Sequence, residues 1–195
     1  MQERISPDSD VRIVQDLSQF VLPNGFRGRS AIVCQLWWIV QETLFRWSPQ
    51  FAYGFRRTLL RTFGCRVGSG VIIRPTVRIT YPWKVSIADN VWIGDHAELY
   101  SLGDIVVEHD AVISQNCYLC TGSHDASDVR FPIFVRRITI ESEAWLCADV
   151  FVMPGVTIGR GAVVGARSLV TSDIPSLKMA VGSPARVKCD RPHRS

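Results

Sequence analysis

From Val67 to Val170 an aliphatic residue leads every sixth position, in sets that hold their register. The leaders are Val67, Ile73 and Ile79; Ile87, Ile93 and Leu99; Val107, Ile113 and Leu119; then Ile140, Leu146, Val152, Ile158, Val164 and Val170. The fifth place of most sixes holds a small or slim side chain, as at Val71, Ala97, Ala111, Cys117, Ala144, Ala162 and Ser168. Neither the helical period nor simple alternation fits this spacing. Six residues make one short strand and one turn, the unit of a parallel β-helix. Three such units close a triangular coil, with the leaders stacked inward up a prism. The fifth place must be slim because it also faces the narrow interior. Gly, Asn and Asp gather between the strands, where corners need positive or restricted φ.

The breaks in the rhythm are as informative as the rhythm. Ile79 to Ile87 and Leu99 to Val107 are steps of eight, which predicts a two-residue insertion at one corner per coil. Leu119 to Ile140 is a step of 21, so about 15 residues leave the prism. That excursion lies in CYLCTGSHDASDVRFPIF, residues 117–134, and carries His124, Asp125, Asp128 and Arg130 together. Long loops in compact folds are usually functional. A neutral imidazole held at the one rupture of a rigid frame is a candidate general base. Asp125 is a candidate to orient that ring, a task that a backbone carbonyl would also perform.

Ahead of the repeat, AIVCQLWWIVQETLFRW (31–47) is the most apolar run. Gln35, Gln41 and Glu42 interrupt it, and it is shorter than the roughly 20 apolar residues a membrane span needs. It predicts an amphipathic helix docked on the protein. Its four aromatics, with Arg46, Arg56 and Arg57 nearby, leave peripheral membrane contact through residues 31–62 open as a second use. The chain therefore divides into an N-terminal extension and helical segment (1–62), a β-helix (63–178) with a protruding loop at 123–137, and a C-terminal tail (179–195). The first 20 residues are polar and unpatterned.

Composition narrows the function classes. At 195 residues, 47% hydrophobic and 21% charged, the chain suits one globular domain. The formal net charge is only +4 and no recognition motif accompanies the arginines, which argues against a nucleic-acid partner. The opening MQERISPDSD does not read as a secretory signal. The six cysteines then read as reduced thiols of a cytoplasmic protein, several of them in slim inward slots. Cys117 and Cys120 form a lone C-x-x-C without a second pair. The spacing of His96, His109 and His124 does not suit a three-histidine zinc centre, so no metal is expected.

The segments NVWIGDHAELY, CYLCTGSHD, AWLCADVFVMPGVTIGRGAVVGARSLVTSDIP and VGSPARV resemble the hexapeptide-repeat acyltransferases, in particular the sugar O-acetyltransferases of the maltose, galactoside and nodulation type. Within that group, LWWIVQETLFRWSPQ, RRTLLRTFG and TGSHD are similar to colanic-acid and exopolysaccharide-biosynthesis acetyltransferases. The resemblance spans roughly residues 34–188. It implies an all-β, left-handed parallel β-helix that assembles as a homotrimer and binds acetyl-CoA between neighbouring prisms. It further implies His124 as catalytic base and acetyl-CoA contacts at Trp145, Cys147, Ala148, Ala166, Thr171 and Arg186, with Lys188 close by. The activity implied is acetyl transfer to a sugar hydroxyl in exopolysaccharide synthesis, on a free or lipid-linked oligosaccharide, in the cytoplasm or at the inner face of the plasma membrane.

One position departs from the family pattern. Where the maltose and galactoside enzymes place an acceptor-binding asparagine one coil below the histidine, this chain has Gly94. Asp95, His96, Tyr100 and Ser101 are the substitute candidates for acceptor contact. Alternative acceptors are another small hydroxyl or amine compound, such as serine, an antibiotic or an amino sugar. A prism that has lost its chemistry and serves as a scaffold is the non-enzymatic alternative.

Overall fold

The computed structural model describes residues 13–192, and the fold is a parallel β-solenoid of about six turns behind a short helical segment. Its three faces are parallel ladders. The first holds Arg66–Val67, Val85–Ile87, Ile105–Val107, Ile138–Ile140 and Thr157–Ile158. The second begins with Ile72–Ile73, Trp92–Ile93, Val112–Ile113, Trp145–Leu146 and Val163–Val164. The third holds Arg78–Ile79, Glu98–Tyr100, Tyr118–Cys120, Phe151–Val152 and Leu169–Val170. Every leader except the first, Val67, is buried, and so are the fifth-place residues. Each buried Ile, Leu or Val contributes roughly 1.5–3 kcal/mol of transfer free energy, so the stacked leaders are the main source of cohesion.

The corners form columns of left-handed backbone. Asn90, Asp110 and Glu143 lie in one column, and His96, Asn116, Asp149 and Arg167 in the next, all with φ between 57° and 62°. Asn and Asp tolerate this region readily, whereas Glu143 and Arg167 each carry a cost of about 1 kcal/mol. Gly94 has a different reason. A Cβ there would lie 2.6 Å from the Gln115 nitrogen in the coil above. Gly94→Ala is therefore expected to cost about 1–3 kcal/mol, read as a lower melting temperature, and an acceptor-binding amide has no room at this corner.

The insertions all leave by one edge, between the third and first faces. They comprise the turn at Pro82–Lys84, the Ser101–Asp104 turn, and the excursion after Cys120. That excursion differs from the expected loop: it is an antiparallel hairpin in which Gly122–His124 pairs with Ile133–Val135. The expected C-terminal tail also differs, because Lys178–Gly182 and Ala185–Asp190 fold as a hairpin that extends the second face. Of the polar N-terminus, residues 1–12 lie outside the described residues. The following stretch forms a short turn, Leu17–Gln19, whose leading Asp16 N–H donates to the Val129 carbonyl at 2.8 Å.

The helical segment is a cap with a defined task. Strand N–H groups bond carbonyls of the next coil up, as Ile72 does to Val91, so the carbonyls of the first coil have no coil beneath them. Helix α1 (Ala31–Val40), extended by a wider turn at Gln41–Phe45, supplies Trp37 Nε1 to the Ile79 carbonyl at 2.7 Å and Trp38 Nε1 to that of Thr80 at 3.2 Å. Gln41 accepts from the Ile79 N–H. Helix α2 (Tyr53–Thr62) supplies Arg56 to Ile73, Arg57 to Val71 and Arg61 to Val67 and Gly68. Arginines that read in sequence as scattered charge thus close an open sheet edge.

Candidate active site

His124 ends the first strand of the hairpin and is half-buried. Its Nδ1 lies 2.8 Å from the Phe131 carbonyl oxygen. A carbonyl can only accept, so Nδ1 carries the proton and the neutral ring keeps its lone pair on Nε2. The Phe131 ring also stacks on the imidazole, with centroids 4.3 Å apart and planes 6° from parallel. Phe131 holds this pose at φ +50°, a left-handed conformation that costs a residue with a Cβ about 1–2 kcal/mol. Phe20 from the N-terminal stretch packs on the ring from another side, at 5.7 Å.

Asp125 does not orient the ring. Its carboxylate accepts from the Ser127 N–H and hydroxyl at 2.9 and 2.6 Å, and those bonds hold it below the ordinary carboxylate range. Asp128 is pulled to about 2 by the Arg130 guanidinium and N–H that it accepts from. Both aspartates fold the tip of the hairpin, which in turn places the Phe131 carbonyl. The orienting contact is a backbone atom that no side-chain pattern announces.

An open pocket of about 480 Å³ lies beside the imidazole, lined by His124, Asp125, Pro132, Ile133, Phe134 and Arg136. Arg136 was not singled out by sequence. Its guanidinium sits 5.5 Å from the Phe134 ring, and its stem packs over Gly155 at the same edge of the prism, one coil on.

The residues expected to meet acetyl-CoA fall on two edges. Cys147 and Ala148 form the corner between the second and third faces, and Ala166 stands directly above in the next coil. The column continues to the C-terminal hairpin, where Gly182 N–H donates to the Ser168 hydroxyl and exposed Arg186 pairs across from Val181. Trp145 projects from the second face just before this corner, its Nε1 donating to the Ser114 hydroxyl at 3.0 Å. Thr171 lies on the other edge, the one that carries the His124 hairpin.

Of the acceptor candidates, Ser101 is removed. It is fully buried, accepting from the Tyr81 N–H and donating to the Tyr81 carbonyl, so its hydroxyl is spent on the turn. Asp95 accepts from Arg74 and Thr76; partial burial opposes its ionisation, and those two donors outweigh it, holding the carboxyl below the usual range. His96 is an exposed corner residue at φ +57°. Tyr100 lies on the third face nearest the hairpin edge, its ring 5.9 Å from that of Tyr118. Among the described residues no group of three or more His, Cys, Asp or Glu side chains could hold a metal ion. Burial pushes the Cys117 thiol up to about 12, and it donates to the Cys147 carbonyl while Cys120 donates to that of Gly122. The C-x-x-C is two separate packing residues.

The comparisons with known proteins agree with the three-sided solenoid, and the chain belongs to the hexapeptide-repeat acetyltransferases. It is 53% identical over 178 residues to the protein named as colanic acid biosynthesis acetyltransferase WcaF of Escherichia coli K12, covering 91% of this chain and 98% of that one. It is 32% identical over 134 residues to the galactoside O-acetyltransferase of Lactococcus lactis, covering 67% and 65%. Among solved structures, the hexapeptide-repeat acetyltransferase VCA0836 of Vibrio cholerae, complexed with acetyl-CoA, superposes with a TM-score of 0.77 over 85% of this chain and 92% of its own, at 23% identity. A galactoside acetyltransferase in complex with coenzyme A also gives 0.77, over 88% and 84%, at 23% identity. At that identity the two structures speak for the fold. No family model matches the chain.

Proposed function

We propose that the protein transfers acetyl from acetyl-CoA to a hydroxyl of an exopolysaccharide sugar, with His124 as general base. The observation that carries this is the 2.8 Å contact of Nδ1 with the Phe131 carbonyl, which leaves Nε2 as the acceptor of a histidine that lines an open pocket. Nε2 takes the proton of the sugar hydroxyl as its oxygen attacks the thioester carbonyl. The proton then passes to the leaving CoA thiolate, so the ring ends neutral and no acyl-enzyme is needed. Acetyl-CoA lies along the Ala148–Ala166 edge, where small side chains let a slender pantetheine arm approach backbone, and Arg186 meets its phosphates. The acceptor class follows from the 53% identity to a protein named for colanic acid biosynthesis.

The same geometry calls for more than one copy. Within a protomer the Ala148–Ala166 edge and the His124 edge lie on opposite sides of the third face, separated by six near-extended residues, on the order of 15 Å. General-base catalysis needs contact distances of about 3 Å. A cyclic homotrimer brings the His124 edge of one prism against the Ala166 edge of its neighbour, building three shared sites. The test is complementation. His124→Ala and Ala166→Trp proteins should each be inactive alone. Trimers co-assembled from equal amounts should recover about a quarter of wild-type CoA release, the share of interfaces with both edges intact. No recovery would place the whole site within one protomer.

A further inference from the structure

Between Leu17 and Ala88, the stretch that forms the cap and first coil, lie ten of the 22 lysines and arginines but one of the 18 acidic residues, Glu42. The remaining twelve basic residues share the rest of the chain with seventeen acidic ones. By sequence this stretch carries a surplus of nine positive charges on a protein whose net charge is +4. Arg74 pairs with Asp95 of the next coil, which leaves a surplus of eight; Arg56, Arg57, Arg61 and Lys84 bond carbonyls, which are neutral and cancel no charge.

On this basic end lies an apolar line without a partner. Helix α1 and its extension bury Cys34, Trp37, Gln41, Phe45 and Ser48 against the prism. One or two residues before the inward positions, Ile32, Leu36, Ile39 and Thr43 are exposed, and so is Trp47 one turn on. Ile32 is 80% and Trp47 82% exposed, as is Phe51 just beyond at 82%. A helix apolar on both sides normally has cover on both.

We propose that this end of the protein docks on an anionic lipid bilayer. Ile32, Leu36, Ile39 and Trp47 enter the boundary between headgroups and acyl chains, and the arginines around them face lipid phosphates. Each part supplies one of the two signals that stable peripheral binding requires, apolar insertion and a basic patch. Charge argues against a second copy as the cover: a two-fold contact would set two positive surpluses face to face, and end-to-end stacking would not close. No helix among the described residues is long and apolar enough to cross a membrane, so attachment is at the surface. The hairpin leaves the third coil, two coil spacings or about 10 Å along the axis from the capped coil. An acceptor sugar anchored in the same bilayer is then within reach of His124; that consequence rests on the proposed acceptor, whereas the docking does not.

Sedimentation of the full-length protein with vesicles tests this, using phosphatidylcholine alone and phosphatidylcholine with phosphatidylglycerol at roughly three to one. Binding to the anionic vesicles should exceed that to neutral ones by on the order of tenfold or more, and should fall as salt is raised. The Ile39→Glu/Trp47→Glu protein should lose that binding while keeping its oligomeric mass and its CoA release on a water-soluble acceptor. Equal binding to both vesicles, no binding, or full binding by the variant would overturn the proposal. A variant of altered oligomeric mass would also overturn it, because the line would then lie between copies. Failure of CoA release in the unaltered protein counts against the catalytic reading alone.

Discussion

His124→Ala is expected to lower CoA release in the presence of acceptor by about 10²- to 10⁴-fold, the range a positioned general base supplies. Acetyl-CoA binding and oligomeric mass should stay within error, because the hydrogen bond and ring contacts of His124 among the described residues lie within the hairpin and the N-terminal stretch. The loss should fall on kcat and kcat/KM alike, as for an interaction made in the transition state. His124→Gln separates positioning from proton transfer: its amide can still donate to the Phe131 carbonyl, yet it has no basic nitrogen, so it should be as inactive as alanine. Asp125→Asn supplies the contrast. Both Ser127 bonds end on one carboxylate oxygen, whose place an amide oxygen can take, so activity should stay within about twofold. A loss in Asp125→Asn comparable with His124→Ala would mean that the carboxylate, rather than the Phe131 carbonyl, sets the ring.

The frame was legible because its physics is periodic. A six-residue period with an inward leader fixes which side chains share the core, and fourteen of the fifteen leaders are buried. The position of His124 was legible for the complementary reason, as the residue that stands at the one long break in that period. Its support was not. The Phe131 carbonyl is a main-chain atom, and its pose depends on a left-handed φ at a residue type that gives no signal for it. Ser101 was a candidate acceptor contact because Gly94 stands where the resemblance placed an asparagine; in the fold the Ser101 side chain is buried and the Tyr81 backbone takes its hydroxyl. The C-terminal hairpin escaped because VGSPARV breaks the six-residue period, although it continues the second face. Local pattern shows what repeats, and the missing parts are contacts made between segments remote in sequence.

The arginines carry that lesson into stability. Arg56→Met is expected to destabilise the protein by about 3–5 kcal/mol, seen as a melting temperature lower by roughly 10 °C or more. The Arg56 side chain is fully buried and donates to the carbonyls of Ile73, Pro49 and Gln50 and to the Ser48 hydroxyl, at 2.6–2.8 Å. Methionine fills much of the volume but donates nothing, which strands four acceptors where water cannot easily follow. Burial pulls the guanidinium pKa down, with the Tyr53 ring 5.0 Å away, but an arginine keeps its charge at any physiological pH. Arg61→Met is the control. That guanidinium is exposed and bonds the Val67 and Gly68 carbonyls, so water can replace it and the loss should be much smaller. Hydrogen exchange locates the effect. In Arg56→Met, protection should fall first in residues 41–79, the cap and first coil, while the later coils, paired on both sides, keep theirs. Equal losses for the two variants, or uniform loss of protection along the prism, would mean that the cap does not act by closing the carbonyl edge of the first coil.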